Sequence, residues 1–289
     1  MGMSRPPLHP AGAESLTIAA TGATLAARLF LPPGPPRAAA VLHGATGVPM
    51  GFYRAFAEWL AADRGVAVLT YDYRDFGASA RAPTRASRAT MADWGFHDQG
   101  AALQTLTRLF PGTPRWVIGQ SLGGLFLAFH PEMAGVARVI TVNSGPVHVT
   151  DHPHAFRALA RVFWHGPHRA LTRALGYHPG RHTGLGADLP RGVWEDWRRW
   201  CLTPGFFLSD LGHRLPFPDP SRVTAEMRLV ATADDHWVPT AAVWRLMRHY
   251  PEAVKCQLVL HPAAFGLARL GHLGPLARAN ALVWPALVD

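Results

Sequence analysis

The chain has 289 residues, of which 48% are hydrophobic and 16% are charged. This composition excludes global disorder and provides enough apolar residues for one large domain, or for a core domain that carries an insertion. The formal net charge is +9, from 28 basic and 19 acidic residues, and Lys255 is the only lysine. The arginines are scattered and form no recognised nucleic-acid-binding motif, so we expect no nucleic-acid partner.

The cysteine content and the first residues limit the class of protein further. Only Cys201 and Cys256 occur, which excludes a disulfide scaffold and a Cys-rich zinc site. Residues 1–14 lack the apolar core of a signal peptide, and Gly2 is a poor myristoylation site because Pro6 replaces Ser or Thr. No stretch of 18 uninterrupted apolar residues predicts a membrane span. We therefore expect a soluble, cytoplasmic protein with reduced thiols.

Predicted strands and helices alternate along most of the chain. Two strands around Thr21-Gly22 predict an N-terminal hairpin. Short apolar runs then predict buried parallel strands, and segments with helical apolar spacing predict the crossovers between them. Strands are expected at 15–20, 24–31, 38–42, 66–71, 116–119, 136–142, 227–232 and 257–260, and helices at 52–64, 95–110, 122–130 and 240–250. This order predicts an α/β fold with a mostly parallel sheet flanked by helices.

One long segment interrupts the alternation. Residues 145–223 are rich in Trp, Phe, His and Arg and are too long for a simple loop. We interpret them as a mainly helical cap, inserted over the carboxyl edge of the sheet. The core then consists of residues 1–144 and 224–289.

The turn after the strand at 116–119 has the sequence Gly119-Gln120-Ser121-Leu122-Gly123. A Gly-x-Ser-x-Gly sequence between a strand and a helix is typical of a nucleophile elbow, a sharp turn that exposes the serine at the edge of the sheet. The N-terminus of the following helix would direct positive partial charge at a developing oxyanion. We predict that Ser121 is a nucleophile. The alternative is a tight, glycine-rich turn with an inert serine.

A serine nucleophile needs a base, and the base needs an acid that orients it. The loop after the strand at 227–232 contains Asp234 and Asp235. Asp235 is the first choice for the acid because it stands four residues before Pro239, and Asp234 would then be a turn or cap residue. After the strand at 136–142, where some hydrolases keep the acid, the chain has Asn143 and Ser144 instead.

Two histidines follow the last predicted strand. His272 is flanked by Gly271 and Gly274 in a loop that would let its ring swing over Ser121, so we predict that it is the base. His261 lies at the end of the strand itself and is the alternative.

An oxyanion hole needs two backbone N–H groups. The first is that of Leu122, the residue after the predicted nucleophile. The second is expected from the loop His43-Gly44-Ala45-Thr46-Gly47, where glycines allow the backbone to approach a substrate. Ala45 is the first choice and Thr46 the second. The alternative is that this loop is only a strand-to-helix turn.

Other polar and aromatic residues of the predicted cap have simpler interpretations. Three histidines near Asp151 lack a helical spacing that would bring a carboxylate inward, so we expect no metal. Four cap arginines are expected to face solvent, although they could attract an anionic substrate. Three tryptophans are expected to pack the cap rather than stack on substrate. These sets are His148, His152 and His154; Arg157, Arg161, Arg169 and Arg173; and Trp194, Trp197 and Trp200.

Taken together, these motifs resemble the α/β-hydrolase superfamily over nearly the whole chain. The resemblance rests on His43-Gly44-x-x-Gly47, the elbow, the Asp-Asp loop and Gly271-His272-x-Gly274. The segment 71–79 is similar to the family's Asp-x-Arg-Gly-x-Gly-x-Ser loop, with Asp75 where glycine is usual. In the cap, the segment 184–190 and the Trp-x-x-Trp-x-x-Trp sequence resemble an uncharacterised bacterial subset.

The resemblance implies a serine esterase-like or lipase-like hydrolase that cleaves a carboxylic ester or a related small acyl compound without a cofactor. Ser121 would form an acyl-enzyme that water then releases, with His272 as the base and Asp235 as the acid. Relatives with an aspartate nucleophile are disfavoured, since the elbow carries serine. Two alternatives stay open: transfer to an acceptor other than water or other cofactor-free chemistry on the same residues, and a non-catalytic binding protein. The sequence leaves the oligomeric state open, including a homodimer.

Overall fold

The computed structural model describes residues 13–289 and contains one large sheet. Its eight strands are β1 (Ala13–Ala20), β2 (Ala23–Phe30), β3 (Ala38–His43), β4 (Val66–Tyr71), β5 (Arg115–Gln120), β6 (Val136–Val142), β9 (Glu226–Thr232) and β10 (Val254–Leu260). A separate two-stranded ribbon joins β7 (Tyr177–His178) to β8 (Leu189–Pro190). The prediction that no signal peptide is present rests mainly on residues 1–12, which lie outside the described part.

The strand order of the large sheet is β1-β2-β4-β3-β5-β6-β9-β10. The hairpin β1–β2 and the pair β2–β4 are antiparallel, and the other pairs are parallel. The predicted α/β fold with a mostly parallel sheet is confirmed. Because parallel strands end at the same edge, the loops after β3, β5, β6, β9 and β10 are neighbours in space.

Helices lie on both faces of this sheet, with α1 (Arg54–Arg64) and α8 (Trp284–Val288) on one face and α2 (Gln99–Leu109) and α7 (Thr240–Arg245) on the other. Four more helices belong to the segment 145–223: α3 (His154–His165), α4 (Pro167–Leu175), α5 (Gly180–Thr183) and α6 (Arg191–Cys201). Helices α1 and α8 contribute Phe56, Leu60 and Trp284 to one buried apolar cluster. Helices α2 and α7 contribute to the cluster on the opposite face, which extends into the segment 145–223. Among the described residues, no helix is long and apolar enough to cross a membrane.

The predicted helix at 122–130 is wrong. After β5 the chain forms two short 3-10 turns, Ser121–Gly124 and Leu127–Phe129, instead of an α-helix. Consecutive glycines at 123 and 124 weaken a helix, and His130 is held in an extended conformation before Pro131. Similar shortening affects the predicted helix at 240–250, where α7 gives way to a 3-10 turn at Leu246–His249.

The segment 145–223 lies between β6 and β9 and contributes no strand to the large sheet. It contains α3, α4, α5 and α6, together with the β7–β8 ribbon. Within it, Asp210 accepts hydrogen bonds from both terminal nitrogens of Arg199 at 2.6 Å and from the Trp200 indole at 2.8 Å. These contacts give the segment a polar anchor of its own. Its treatment as a separate cap domain stays a prediction.

The turn after β5 is tight because its glycines touch backbone on several sides. Ser121 has a positive φ of 54°, a conformation that costs a non-glycine residue about 1–3 kcal/mol and is kept only where the surroundings enforce it. A Cβ atom placed on Gly123 would lie 2.0 Å from the His43 carbonyl oxygen, and one on Gly119 would lie 2.3 Å from the Gly123 carbonyl oxygen. Close packing against β3 therefore holds Ser121 in this conformation.

A buried ion pair connects the loop after β4 to the helical layer. Arg74 donates to the carboxylate of Asp98 from its backbone N–H at 2.8 Å and from Nε at 2.8 Å. Its neighbour Tyr73 stacks on Trp94 with ring centroids 4.8 Å apart and donates its hydroxyl to the Gly44 carbonyl at 2.9 Å. These contacts fix the loop after β3 from the side of β4.

We expect Gly123→Ala to lower the free energy of unfolding by more than about 2 kcal/mol, because the added methyl group has no space beside the His43 carbonyl. Urea unfolding measures this change. Gly51→Ala is the matched control, since nothing lies within 4 Å of its Cβ position. Equal stability of the two variants would contradict the described packing of the turn.

We expect Asp98→Ala to cost about 3 kcal/mol, because the largely buried Arg74 guanidinium loses its close carboxylate partner and keeps only Asp93 at 3.9 Å. Thermal and urea unfolding check this value. Asp63→Ala, at an exposed position of α1, should change stability by less than about 0.5 kcal/mol. A loss at Asp98 as small as that at Asp63 would show that the pair does not hold this part of the fold.

Candidate active site

The centre of the candidate site is a contact between the loops after β9 and β10. His272 Nδ1 lies 2.7 Å from Asp235 Oδ2. The other carboxylate oxygen of Asp235 accepts the backbone N–H groups of Trp237 at 2.8 Å and Val238 at 3.1 Å. The Asp235 side chain is fully buried, so these bonds hold it in one orientation. Since a carboxylate only accepts, the proton on this contact belongs to Nδ1, and Nε2 of His272 is left as an acceptor.

Asp234, the alternative acid, points elsewhere. Its two oxygens accept the backbone N–H groups of Leu270 at 3.0 Å and Gly271 at 2.9 Å. It therefore holds the backbone directly before His272 rather than the imidazole. His261, the alternative base, is exposed and does not line the cavity described below.

The backbone carbonyl of His272 is fixed as well. It accepts hydrogen bonds from the side-chain amides of Asn143 at 2.9 Å and Gln120 at 3.2 Å. Asn143 is in turn oriented by the hydroxyl of Thr232, which donates to its Oδ1 at 3.0 Å. Side chains from the ends of β5, β6 and β9 therefore hold the backbone of this glycine-flanked loop, and the swing of the His272 ring over Ser121 stays a prediction.

Sequence reasoning missed Gln120 and Asn143. Gln120 is the variable position of the elbow, and in the sequence Asn143 stands out only as a non-acidic residue after β6. A usable signal was present, since both are polar residues at the end of a buried strand. Asn143 also adopts a positive φ of 50°, which is unusual outside glycine and marks a constrained position.

Ala45, the first choice for an oxyanion donor, is not available. Its N–H donates to the Tyr53 hydroxyl at 2.8 Å, and that hydroxyl donates to Gln120 Oε1 at 2.9 Å. Burial raises the pKa of Tyr53, so the phenol keeps the proton that it donates. Ala45 itself is buried and does not line the cavity, whereas Thr46 does. The second choice, Thr46, fits the geometry better.

The predicted helix dipole at the elbow also needs correction. A four-residue 3-10 turn, Ser121–Gly124, stands in place of an α-helix, so the aligned peptide units of a long helix are missing there. The turn instead presents single backbone N–H groups as hydrogen-bond donors. Within residues 13–289, neither the Leu122 nor the Thr46 backbone N–H donates to another group, and both residues line the cavity.

A cavity that is partly open to solvent lies over this edge of the sheet. Ser121 and His272 line it together with Leu122 and Thr46. Most of the wall is apolar, and none of the described lining residues is Arg, Lys, Asp or Glu. The apolar lining comes from both the core and the segment 145–223: Val48, Met91, Leu125, Val147, Ala160, Trp164, Leu185, Trp197, Phe206, Trp237, Val238 and Leu273.

The structure separates the cap residues that were considered as a set. Trp194 and Trp200 are fully buried packing residues, while Trp197 lines the cavity. The four cap arginines do not line it. Cys201 does line it, but burial raises the pKa of its thiol well above the usual range, so the thiol stays protonated and weakly nucleophilic. Within residues 13–289, no group of His, Cys, Asp and Glu side chains is arranged to hold a metal ion.

Comparisons with known proteins agree with this architecture. The chain is similar in structure to a hypothetical protein from Pseudomonas aeruginosa, with a TM-score of 0.61 and 19% identity over 97% of this chain and 93% of the other. It is similar to an esterase from Pyrococcus furiosus, with a TM-score of 0.55 and 12% identity over 96% and 90%. An α/β hydrolase fold protein from Chitinophaga pinensis gives a TM-score of 0.55 and 15% identity over 96% of each chain.

A comparison with curated proteins finds no match. The sequence pattern of the alpha/beta hydrolase family matches residues 40–284, which include the elbow and both loops of the candidate site. At identities below 20%, the solved structures show a shared fold, and the family match carries the assignment. The chain belongs to the alpha/beta hydrolase family.

Proposed function

We propose that this chain is a serine hydrolase that cleaves a neutral carboxylic ester or a related acyl compound with Ser121, His272 and Asp235. Membership of the alpha/beta hydrolase family supports hydrolase activity in general. The observation that carries the finer proposal is the 2.7 Å contact between Asp235 and His272 Nδ1, beside a cavity that His272 shares with Ser121.

In this proposal His272 Nε2 takes the proton from the Ser121 hydroxyl as Ser121 Oγ attacks the substrate carbonyl. Asp235 keeps the tautomer with the proton on Nδ1 and stabilises the imidazolium that forms. Collapse of the tetrahedral intermediate expels the alcohol, which receives the proton from His272, and leaves Ser121 acylated. Water then attacks the acyl-enzyme with the same histidine as base, and the acid is released.

The oxyanion of both tetrahedral intermediates is assigned to the backbone N–H groups of Leu122 and Thr46. Their availability within the described residues supports this role. A preorganised donor of this kind contributes about 3 kcal/mol to lowering the barrier. The Ala45 N–H instead donates to the Tyr53 hydroxyl, and this bond stabilises the loop after β3.

The cavity wall supports a neutral substrate with an apolar acyl or aryl group. Among the described residues, its lining includes Trp164, Trp197 and Trp237 and contains no Arg, Lys, Asp or Glu. A carboxylate or ammonium group would lose its hydration there without an ionic partner. An anionic substrate drawn in by the cap arginines is therefore disfavoured.

We expect Ser121→Ala to lower kcat on p-nitrophenyl esters at least about 10³-fold and to abolish labelling by a fluorophosphonate probe. Cys201→Ala, the matched control in the same cavity, should keep both, because its buried thiol is protonated. Steady-state kinetics and mass spectrometry of the labelled protein measure these effects. Labelling that persists in Ser121→Ala, or that Cys201→Ala removes, would contradict the assignment of the nucleophile.

The two aspartates make a second test. Asp235→Asn should lower kcat by about 10⁴-fold without a large change in fold, because an amide can donate to Nδ1 and select the wrong imidazole tautomer. Asp234→Asn should lower the melting temperature and reduce kcat far less, by about 10-fold to 100-fold, since it loses one backbone acceptor in the loop before His272. A larger kcat loss in Asp234→Asn than in Asp235→Asn would reverse the assignment of the acid.

A further inference from the structure

His152 brings an imidazole to the cavity that the proposed reaction does not use. It follows the 3-10 turn Val149–Asp151, is 4% exposed and is one of the residues that line the cavity. Its Nδ1 lies 3.0 Å from the backbone carbonyl oxygen of His236, in the loop that also carries Asp235. The ring packs edge-on against Phe156, with ring centroids 5.1 Å apart. These contacts fix its position and its orientation.

The hydrogen bond to His236 determines which ring nitrogen carries the proton. A carbonyl oxygen can only accept, so Nδ1 of His152 must be the donor. Burial lowers the pKa of His152, which keeps the ring neutral near physiological pH. In a neutral imidazole with its proton on Nδ1, the other nitrogen has a free lone pair. Nε2 of His152 is therefore a hydrogen-bond acceptor.

Nothing in the described part of the chain satisfies this acceptor. No group of residues 13–289 hydrogen-bonds to Nε2, yet the atom is not among those sealed inside the protein. Other described residues that line the cavity carry donors, among them Thr46 and Trp237, but none of them hydrogen-bonds to Nε2 of His152. Because a bound apolar compound excludes water from the cavity, it leaves this acceptor unpaired unless the compound itself carries a donor.

We propose that His152 is a specificity-determining residue whose Nε2 accepts a hydrogen bond from an O–H or N–H group on the apolar part of the substrate. The inference rests on the proposed function for the reaction, but the binding preference holds whether or not Ser121 acts. The substrate class is thus a neutral acyl compound whose apolar group carries one hydroxyl or amide donor. An ether can only accept hydrogen bonds, so its oxygen lone pair would face the lone pair of Nε2 without a proton between them.

A competing interpretation is that His152 only supports the loop that carries Asp235, through its bond to His236. Loss of such support would slow the reaction of all substrates equally. Selectivity between matched compounds with and without a donor distinguishes the two roles, since only direct recognition changes a ratio. In His152→Asn, the side-chain amide can still donate to the His236 carbonyl, but no acceptor remains at the position of Nε2. In His152→Gln, the longer side chain can bring its amide oxygen close to the position of Nε2.

The first experiment measures binding without turnover. Titrations of the full protein with 4-propylphenol, 4-propylanisole and propylbenzene are followed by tryptophan fluorescence, because three tryptophans line the cavity. We expect the phenol to bind about 5-fold to 10-fold more tightly than the anisole, in line with one hydrogen bond to a neutral group. The ratio should fall to about 1 in His152→Asn and recover in part in His152→Gln. His154→Asn, at an exposed histidine of α3, is the matched control.

The second experiment compares p-nitrophenyl 3-(4-hydroxyphenyl)propanoate and its 3-hydroxyphenyl isomer with p-nitrophenyl 3-phenylpropanoate. We expect kcat/KM to favour at least one hydroxylated ester by about 3-fold to 10-fold in the native protein and not in His152→Asn. A wild-type ratio near 1 in both experiments, or one unchanged in His152→Asn, overturns the role of His152. If the phenol preference holds but no ester is cleaved and Ser121 is not labelled, the proposed function fails while the recognition by His152 stands.

Discussion

His272 lies on a stretch of chain with no helix or strand, and its position is set by hydrogen bonds from outside. Asp235 binds its ring, Asp234 binds the N–H groups just before it, and Asn143 and Gln120 bind its carbonyl oxygen. In a weakly polar interior each of these bonds is stronger than in water, and leaving any partner unpaired is costly. The parallel order of β5, β6 and β9 is what brings these strand ends together. The geometry of the candidate site thus depends on polar contacts at one edge of the sheet.

The sequence predicted the fold well because its strands are short, buried and apolar. It also identified Ser121, Asp235 and His272 as candidates, because each follows a strand with recognisable turn residues. It did not predict that Gln120 and Asn143 bind the loop of His272, since that requires knowing which strands are neighbours. The assignment of Ala45 went wrong because a tyrosine eight residues later reaches back to its N–H. The helix expected at 122–130 failed for a local reason, two consecutive glycines followed by Pro131.

The segment 145–223 supplies much of the apolar cavity wall and contributes no charged side chain to it. Its arginines do not line the cavity, whereas Trp164, Trp197 and Phe206 do. The segment also touches the loop after β3, because the Ala187 N–H donates to the Gly47 carbonyl at 2.9 Å. The segment that shapes the apolar wall and the loop that carries Thr46 are therefore in contact. We therefore expect substitutions in this segment to change substrate preference through the shape of the cavity and its hydrogen-bonding groups. Long-range attraction of a charged substrate should contribute less.

The buried phenol of Tyr53 joins the two sides of the site into one chain of hydrogen bonds. It runs from the Ala45 N–H through the Tyr53 hydroxyl to Gln120, and from Gln120 to the carbonyl of His272. The two loops, which are more than 200 residues apart in the polypeptide, thereby share one rigid link beneath the floor of the cavity. A thermal fluctuation that opens one loop must break a bond that also supports the other, so the two are expected to loosen together as a single cooperative unit.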